Sequence, residues 1–117
     1  MDSNEFLPRR FHTAVAHGNK IYVFGGCFDE YVFDNMNQVW EFDFSNFVEK
    51  GEKLIRPTPI RTKGDLPSAR WGHSASIREG KMYIFGGRNQ EDLNDFYRFD
   101  IEEREWTHLQ TQNDPEP

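Results

Sequence analysis

Short runs of alternating apolar and polar residues dominate this chain. Trp40, Phe42 and Phe44 alternate with Glu41 and Asp43, and Tyr97, Phe99 and Ile101 alternate with Arg98 and Asp100. A period of two lines such residues along one face of a β-strand, so strands are predicted over 38–43 and 95–100. Upstream, first strands are predicted over 12–17 and 73–78. Each turns through two residues, Gly18-Asn19 or Glu79-Gly80, into a second strand over 20–25 or 81–86. These second strands, IYVF and MYIF, are apolar throughout, the pattern of a sheet covered on both faces. Fourth strands are predicted over 105–109 and near 56–61. The latter belongs on a sheet edge, because Pro57 and Pro59 cannot donate to a ladder.

The predicted strands recur. Residues 9–26 (RRFHTAVAHGNKIYVFGG) overlie 70–87 (RWGHSASIREGKMYIFGG) at a constant offset of 61, matching Arg9 with Arg70, His12 with His73, and Gly25-Gly26 with Gly86-Gly87. The offset falls to 57 where Trp40 and Asp43 overlie Tyr97 and Asp100, and to 49 where Pro57 overlies Trp106 and Asp65 overlies Asp114. Repeats of this length are supersecondary units that bury their faces against neighbours. The organisation expected is an N-terminal extension over 1–8, one unit over 9–65 enlarged by long loops, a second over 66–114, and the start of a further unit over 115–117.

Four strands per copy, a Gly-Gly strand end, an aromatic ahead of Asp and a later Trp together resemble the kelch repeat. The second copy carries the fullest set: Pro67-x-x-Arg70-x-x-His73-Ser74, Gly86-Gly87, Tyr97, Asp100 and Trp106. Copy one departs from it at Pro57, which replaces the Trp. The resemblance spans residues 8–117 and implies an all-β fold, a fragment of a kelch-type β-propeller with two four-stranded antiparallel blades and an incomplete ring. Two blades leave faces open, so further blades are expected from the rest of a longer chain or from self-association. The motif style is similar to that of intracellular kelch proteins such as host cell factor and kelch-domain ubiquitin-ligase receptors. It implies a protein-interaction scaffold, a substrate receptor or adaptor, located in the cytoplasm or nucleus.

Composition narrows the classes. With 14 Lys+Arg against 20 Asp+Glu the net charge is −6, without the basic stripe of a nucleic-acid binder. No apolar run reaches the ~18 residues of a membrane span, and the first ten residues lack a secretory apolar core. Cys27 is the only cysteine, which excludes an internal disulfide and Cys-rich zinc sites. It reads as an ordinary loop thiol.

Candidate chemistry is sparse. Repetition of His12 as His73 argues for a structural role over metal ligation, and Arg9 and Arg70 are expected to pair with a blade carboxylate or cap carbonyls. Some kelch propellers, those resembling galactose oxidase, are copper enzymes, but their ligand motifs are not matched here. No catalytic residue, metal or cofactor is expected; the competing class is a propeller oxidase or isomerase whose active residues lie on other blades.

The loops are the better candidates, since blade strands are committed to packing. After the first Gly-Gly, Phe28, Asp29, Glu30, Tyr31 and Phe33 combine aromatic anchors with charge; after the second, Arg88, Glu91 and Asp92 face the same surface. The acidic groups in these loops lack the spacing and central Gly of a calcium loop. The stretch from Ser45 to Lys63 carries Lys50, Lys53, Arg56, Arg61 and Lys63 and reads as a solvated linker. Within it, Thr58-Pro59 has the form of a proline-directed phosphorylation site.

Overall fold

Two-residue turns organise both halves of the chain. The computed structural model describes residues 6, 8–27, 36–45 and 55–110. Strand β1 (Thr13–His17) turns through Gly18, at φ +63°, onto β2 (Lys20–Phe24). Strand β3 (Val39–Asp43) pairs with β2, and β4 (Pro57–Ile60) with β3, giving an antiparallel sheet in the order β1-β2-β3-β4. The prolines fit because β4 is the edge. Pro57 and Pro59 lie two residues apart, so both missing N–H groups belong to one side of the strand, while the sheet needs donors only on the other.

The second sheet repeats this plan. Strand β6 (Ser74–Arg78) turns through Glu79 and Gly80, at φ +52° and +77°, onto β7 (Lys81–Arg88). Strands β8 (Asp92–Asp100) and β9 (Glu105–Leu109) follow outward. Register repeats residue by residue: Phe24 opposes Val39 as Phe85 opposes Phe96, and Val39 opposes Ile60 as Phe96 opposes Leu109. The all-β architecture with two antiparallel sheets is as predicted, with one addition. A two-residue strand, β5 (Lys63–Gly64), runs parallel to β9 on the outer edge of the second sheet. Its neighbour Asp65 accepts the His108 N–H at 3.1 Å. The chain thus touches the far edge of the second blade before entering its innermost strand.

The core lies between the sheets. Tyr22, Phe24, Val39 and Ile60 from the first face Met82, Ile84, Phe99 and Trp106 from the second, all buried. Trp106 is its centre, 5.1 Å from the Phe24 ring and 4.8 Å from Phe99. Burying aromatic surface of this size stabilises the pair of blades by about 1.5–3 kcal/mol per side chain.

Candidate functional site

The order of the strands sends the β2–β3 and β7–β8 connections to one end of the blades, together with the segments that lead into β1 and β6. Arg10 bridges Cys27 there, and Trp71 bridges Arg88, again 61 residues apart. The end is stitched across the blades: the Gly26 N–H donates to the Arg70 carbonyl at 2.8 Å, and the Gly72 N–H to the Phe11 carbonyl at 2.9 Å.

Arg70 anchors this end. It is fully buried. Its guanidinium grips Asp95 through both terminal nitrogens, Nη2 to Oδ2 at 3.0 Å, and donates also to the Gly86 carbonyl and to Ser68. Its ring partner is Tyr97, 5.5 Å away. Copy one puts neutral Gln38 at the position of Asp95. Arg9 donates to the Gly25 carbonyl at 3.3 Å and lies 4.2 Å from the Phe6 ring, and burial pushes its pKa down to about 10.

His73 fills the seam between the blades. Its Nε2 shares a hydrogen bond with Thr13 Oγ1 at 2.5 Å, and its ring meets Phe24 edge-on at 5.4 Å. Burial, reinforced by Arg70 and then His12, pushes its pKa down to about 4 from an ordinary 6.5, with the Phe24 backbone weakly opposing the shift. Between those values the unfolded chain binds a proton that the fold excludes. Stability is therefore complete above pH 6.5, falls as the pH drops, and levels out below about 4, a loss of roughly 3 kcal/mol. His73→Gln removes this component. Urea unfolding of both proteins from pH 7.5 to 4.5 checks it, and parallel profiles would contradict it.

The predicted loop residues divide. Phe28, Asp29, Glu30, Tyr31 and Phe33 lie outside the described residues. Arg88 and Asp92 come together, Nη1 to Oδ1 at 3.4 Å, both exposed. The Glu91 N–H donates to Asn89 Oδ1 and the Glu91 carbonyl accepts the Asn89 N–H, closing a tight turn. Cys27 differs from the loop thiol expected: it is buried, because pairing with Arg10 continues the sheet past the glycines. Asp43 and Asp100 close the turns at the opposite end, accepting the N–H groups of Ser45 and Glu103. Ser45 also holds the Asp43 carboxyl below its ordinary pKa.

Phe11 was not singled out from the sequence. It is 60% exposed and adopts φ +59°, where the second copy has Gly72 at +69°. A left-handed conformation costs a residue with a Cβ about 1–2 kcal/mol. The signal was in the repeat, a Phe aligned with a Gly. At the far end of the blades a cleft of about 500 Å³ is lined by His17, Lys20, Tyr22, Glu41, Ile101 and Arg104. There Tyr22 donates to Glu41 at 3.0 Å and Lys20 lies 3.6 Å from the same carboxylate, so charge is largely neutralised within the wall. Burial and Glu41 push the Tyr22 phenol up.

No helix among the described residues is long and apolar enough to cross a membrane. The chain is 30% identical to bovine Kelch domain-containing protein 3 over 86% of its length, covering 28% of that protein. It is 32% identical to an enzyme from Thlaspi arvense, N-(sulfonatooxy)prop-2-enimidothioate sulfolyase, over 87% of its length and 27% of the enzyme's. The chain thus spans little more than a quarter of each of these relatives. Among solved structures, YjhT superposes with a TM-score of 0.65 at 16% identity, over 91% of this chain and 28% of that one, a likeness of fold. The family model for the KLHDC2/KLHL20/DRC7 Kelch-repeats domain matches residues 1–117, and with the repeated Arg-x-x-His, Gly-Gly and blade register it shows that the chain belongs to the kelch-repeat family.

Proposed function

We infer that this chain is part of a protein-interaction scaffold whose partner contacts the end of the blades where Gly26 and Gly87 close the second strands. Kelch-domain proteins generally mediate protein interactions. The observation that carries the reading is Phe11. A large apolar ring is held 60% exposed in a conformation suited to glycine, and the Arg10 guanidinium 5.7 Å from it leaves it uncovered. The sequence candidates of the two connections, Phe28, Asp29, Glu30, Tyr31 and Phe33 in the first and Arg88, Glu91 and Asp92 in the second, are included in this proposal as partner contacts. The mechanism is rigid display, with packed strands fixing loops that bind a partner peptide or domain. An intracellular substrate-receptor or adaptor role in a ubiquitin ligase is the specific form proposed.

The test pairs stability with capture. Phe11→Gly is expected to raise the unfolding free energy by about 1 kcal/mol, and to weaken recovery of partner proteins from lysate. Phe28/Tyr31/Phe33→Ala is expected to weaken the same recovery with the melt unchanged. Identical capture by these variants and the wild type rejects the assignment. A second reading is supported by the sulfolyase relative: the same end contributes to an enzyme centre completed by other blades. Turnover by the full-length protein that survives loss of partner capture would favour it.

A further inference from the structure

The outer edges of the two blades are finished differently. On blade two, β5 lies parallel to β9 on its outer side. There the Asp65 N–H donates to the Trp106 carbonyl at 3.0 Å, and the Asp65 carboxylate accepts the His108 N–H at 3.1 Å. The backbone at 106 and 108 therefore faces outward, and the repeat offset of 49 carries these positions to Pro57 and Pro59. Neither proline has an N–H to satisfy, so the outward side of β4 needs no covering strand. Among the described residues none pairs with it, β4 being the last strand of its sheet.

Between the two prolines Thr58 is exposed, whereas its counterpart Thr107 is half-buried and followed by His108. Thr58 is also the only Ser or Thr of the sequence that precedes a Pro, and Arg61, three residues further on, is exposed as well. A strand of four residues, two of them proline, gives its sheet at most two N–H bonds, so it leaves the edge locally at low cost.

These are the features that a proline-directed protein kinase selects. Such an enzyme takes its substrate extended and leaves the N–H after the target residue without an acceptor, a cost that Pro avoids. A basic side chain further along adds a charge contact. We propose that Thr58 is a phosphorylation site on the outer edge of blade one, recognised through Pro59 and Arg61. The Thr58 Oγ1 attacks the γ-phosphorus of ATP held by the kinase, and the new O–P bond forms as the bond from that phosphorus to the β–γ bridging oxygen breaks. ADP leaves, and the hydroxyl proton passes to the kinase's catalytic aspartate. The phosphate adds a charge of about −1.5 to −2 at pH 7. Glu41, the register partner of Thr58 on β3, opposes that charge, while Arg56, exposed and two residues earlier, is the cation that the strand period places beside it. The site lies on the outermost strand of its blade, so it depends neither on further blades nor on the partner contacts proposed at Gly26 and Gly87.

Incubating the intact protein with a cyclin-dependent kinase and ATP, then mapping phosphate by mass spectrometry, tests this. The expected result is phosphate on Thr58 and none on Thr107. Pro59→Ala, which restores an N–H on the solvent side of β4, is expected to abolish labelling at position 58. Arg61→Ala is expected to slow it about fivefold, the loss of one exposed charge contact. Both changes lie at the sheet edge, and thermal melts close to that of the wild type are expected for each. An intact protein without phosphate on Thr58 would overturn the proposal, most directly if a peptide of residues 53–63 is labelled in parallel. Labelling that neither variant slows, or that reaches Thr107 equally, would overturn it too.

Discussion

Replacing Arg70 with alanine is expected to lower the unfolding free energy by about 3 kcal/mol, a large share of the ~5–15 kcal/mol that holds a domain together. The cost arises less from the lost attraction than from what is left behind. Asp95 loses both members of its fork, and the Gly86 and Ser68 carbonyls lose a charged donor. The Asp95 side chain is 26% exposed, and water reaching it keeps the loss at the lower end for a buried pair. Arg70→Lys preserves charge but offers a single ammonium in place of a planar fork, so it is expected to recover less than half. Equilibrium urea unfolding of both variants checks the order, and a full recovery of stability by Arg70→Lys would contradict it.

Much of the fold was legible because the code repeats locally. Period-two patterning fixed β3 and β8, Gly18-Asn19 and Glu79-Gly80 fixed two hairpins, and the offsets of 61 and 57 carried the register from one sheet to the other. The features missed depend on distant parts of the chain meeting. Two residues, Lys63-Gly64, are too short for any period, and their pairing with Glu105 and Trp106 arises only once the blade edge exists. Asp65 recurs as Asp114, which flagged it as a repeat position, yet its task of capping the His108 N–H is set by that same edge. Asp95 has no acidic counterpart in copy one, so the partner of Arg70 could be named only as a carboxylate. Cys27 follows Gly-Gly and looked like loop; its bridge to Arg10 needs the chain to return beside it.

Of the candidate site, Phe11 is not legible from sequence, because its meaning lies in a backbone angle. The Gly-Gly pairs mark the strand ends in the sequence, but what approaches these positive-φ positions is seen only in the fold. For Gly25 it is the neighbouring blade; for Gly26 it is Arg10 and His12 of its own blade.

That distinction yields the second large effect. A Cβ on Gly25 would lie 2.4 Å from His73 Cε1 and 2.7 Å from the Arg70 carbonyl oxygen, at φ +76°. The carbonyl is held by the Gly26 N–H and the ring by Thr13 and Phe24, so neither yields easily. Left-handed strain and overpacking together make the expected cost of Gly25→Ala about 3 kcal/mol. Gly18→Ala meets nothing within 4 Å at φ +63°, and is expected to cost only the strain, about 1 kcal/mol.

The central claim is that the two sheets are adjoining blades with His73 set against Gly25, and a double-mutant cycle measures that contact. Urea unfolding would be recorded for wild type, Gly25→Ala, His73→Ala and the double variant. Removing the imidazole removes the nearest clash, so the account predicts that the double variant is more stable than the summed single losses imply, by more than about 1 kcal/mol. Losses that add within ~0.5 kcal/mol would mean that these residues do not touch, and the docked-blade account would fail.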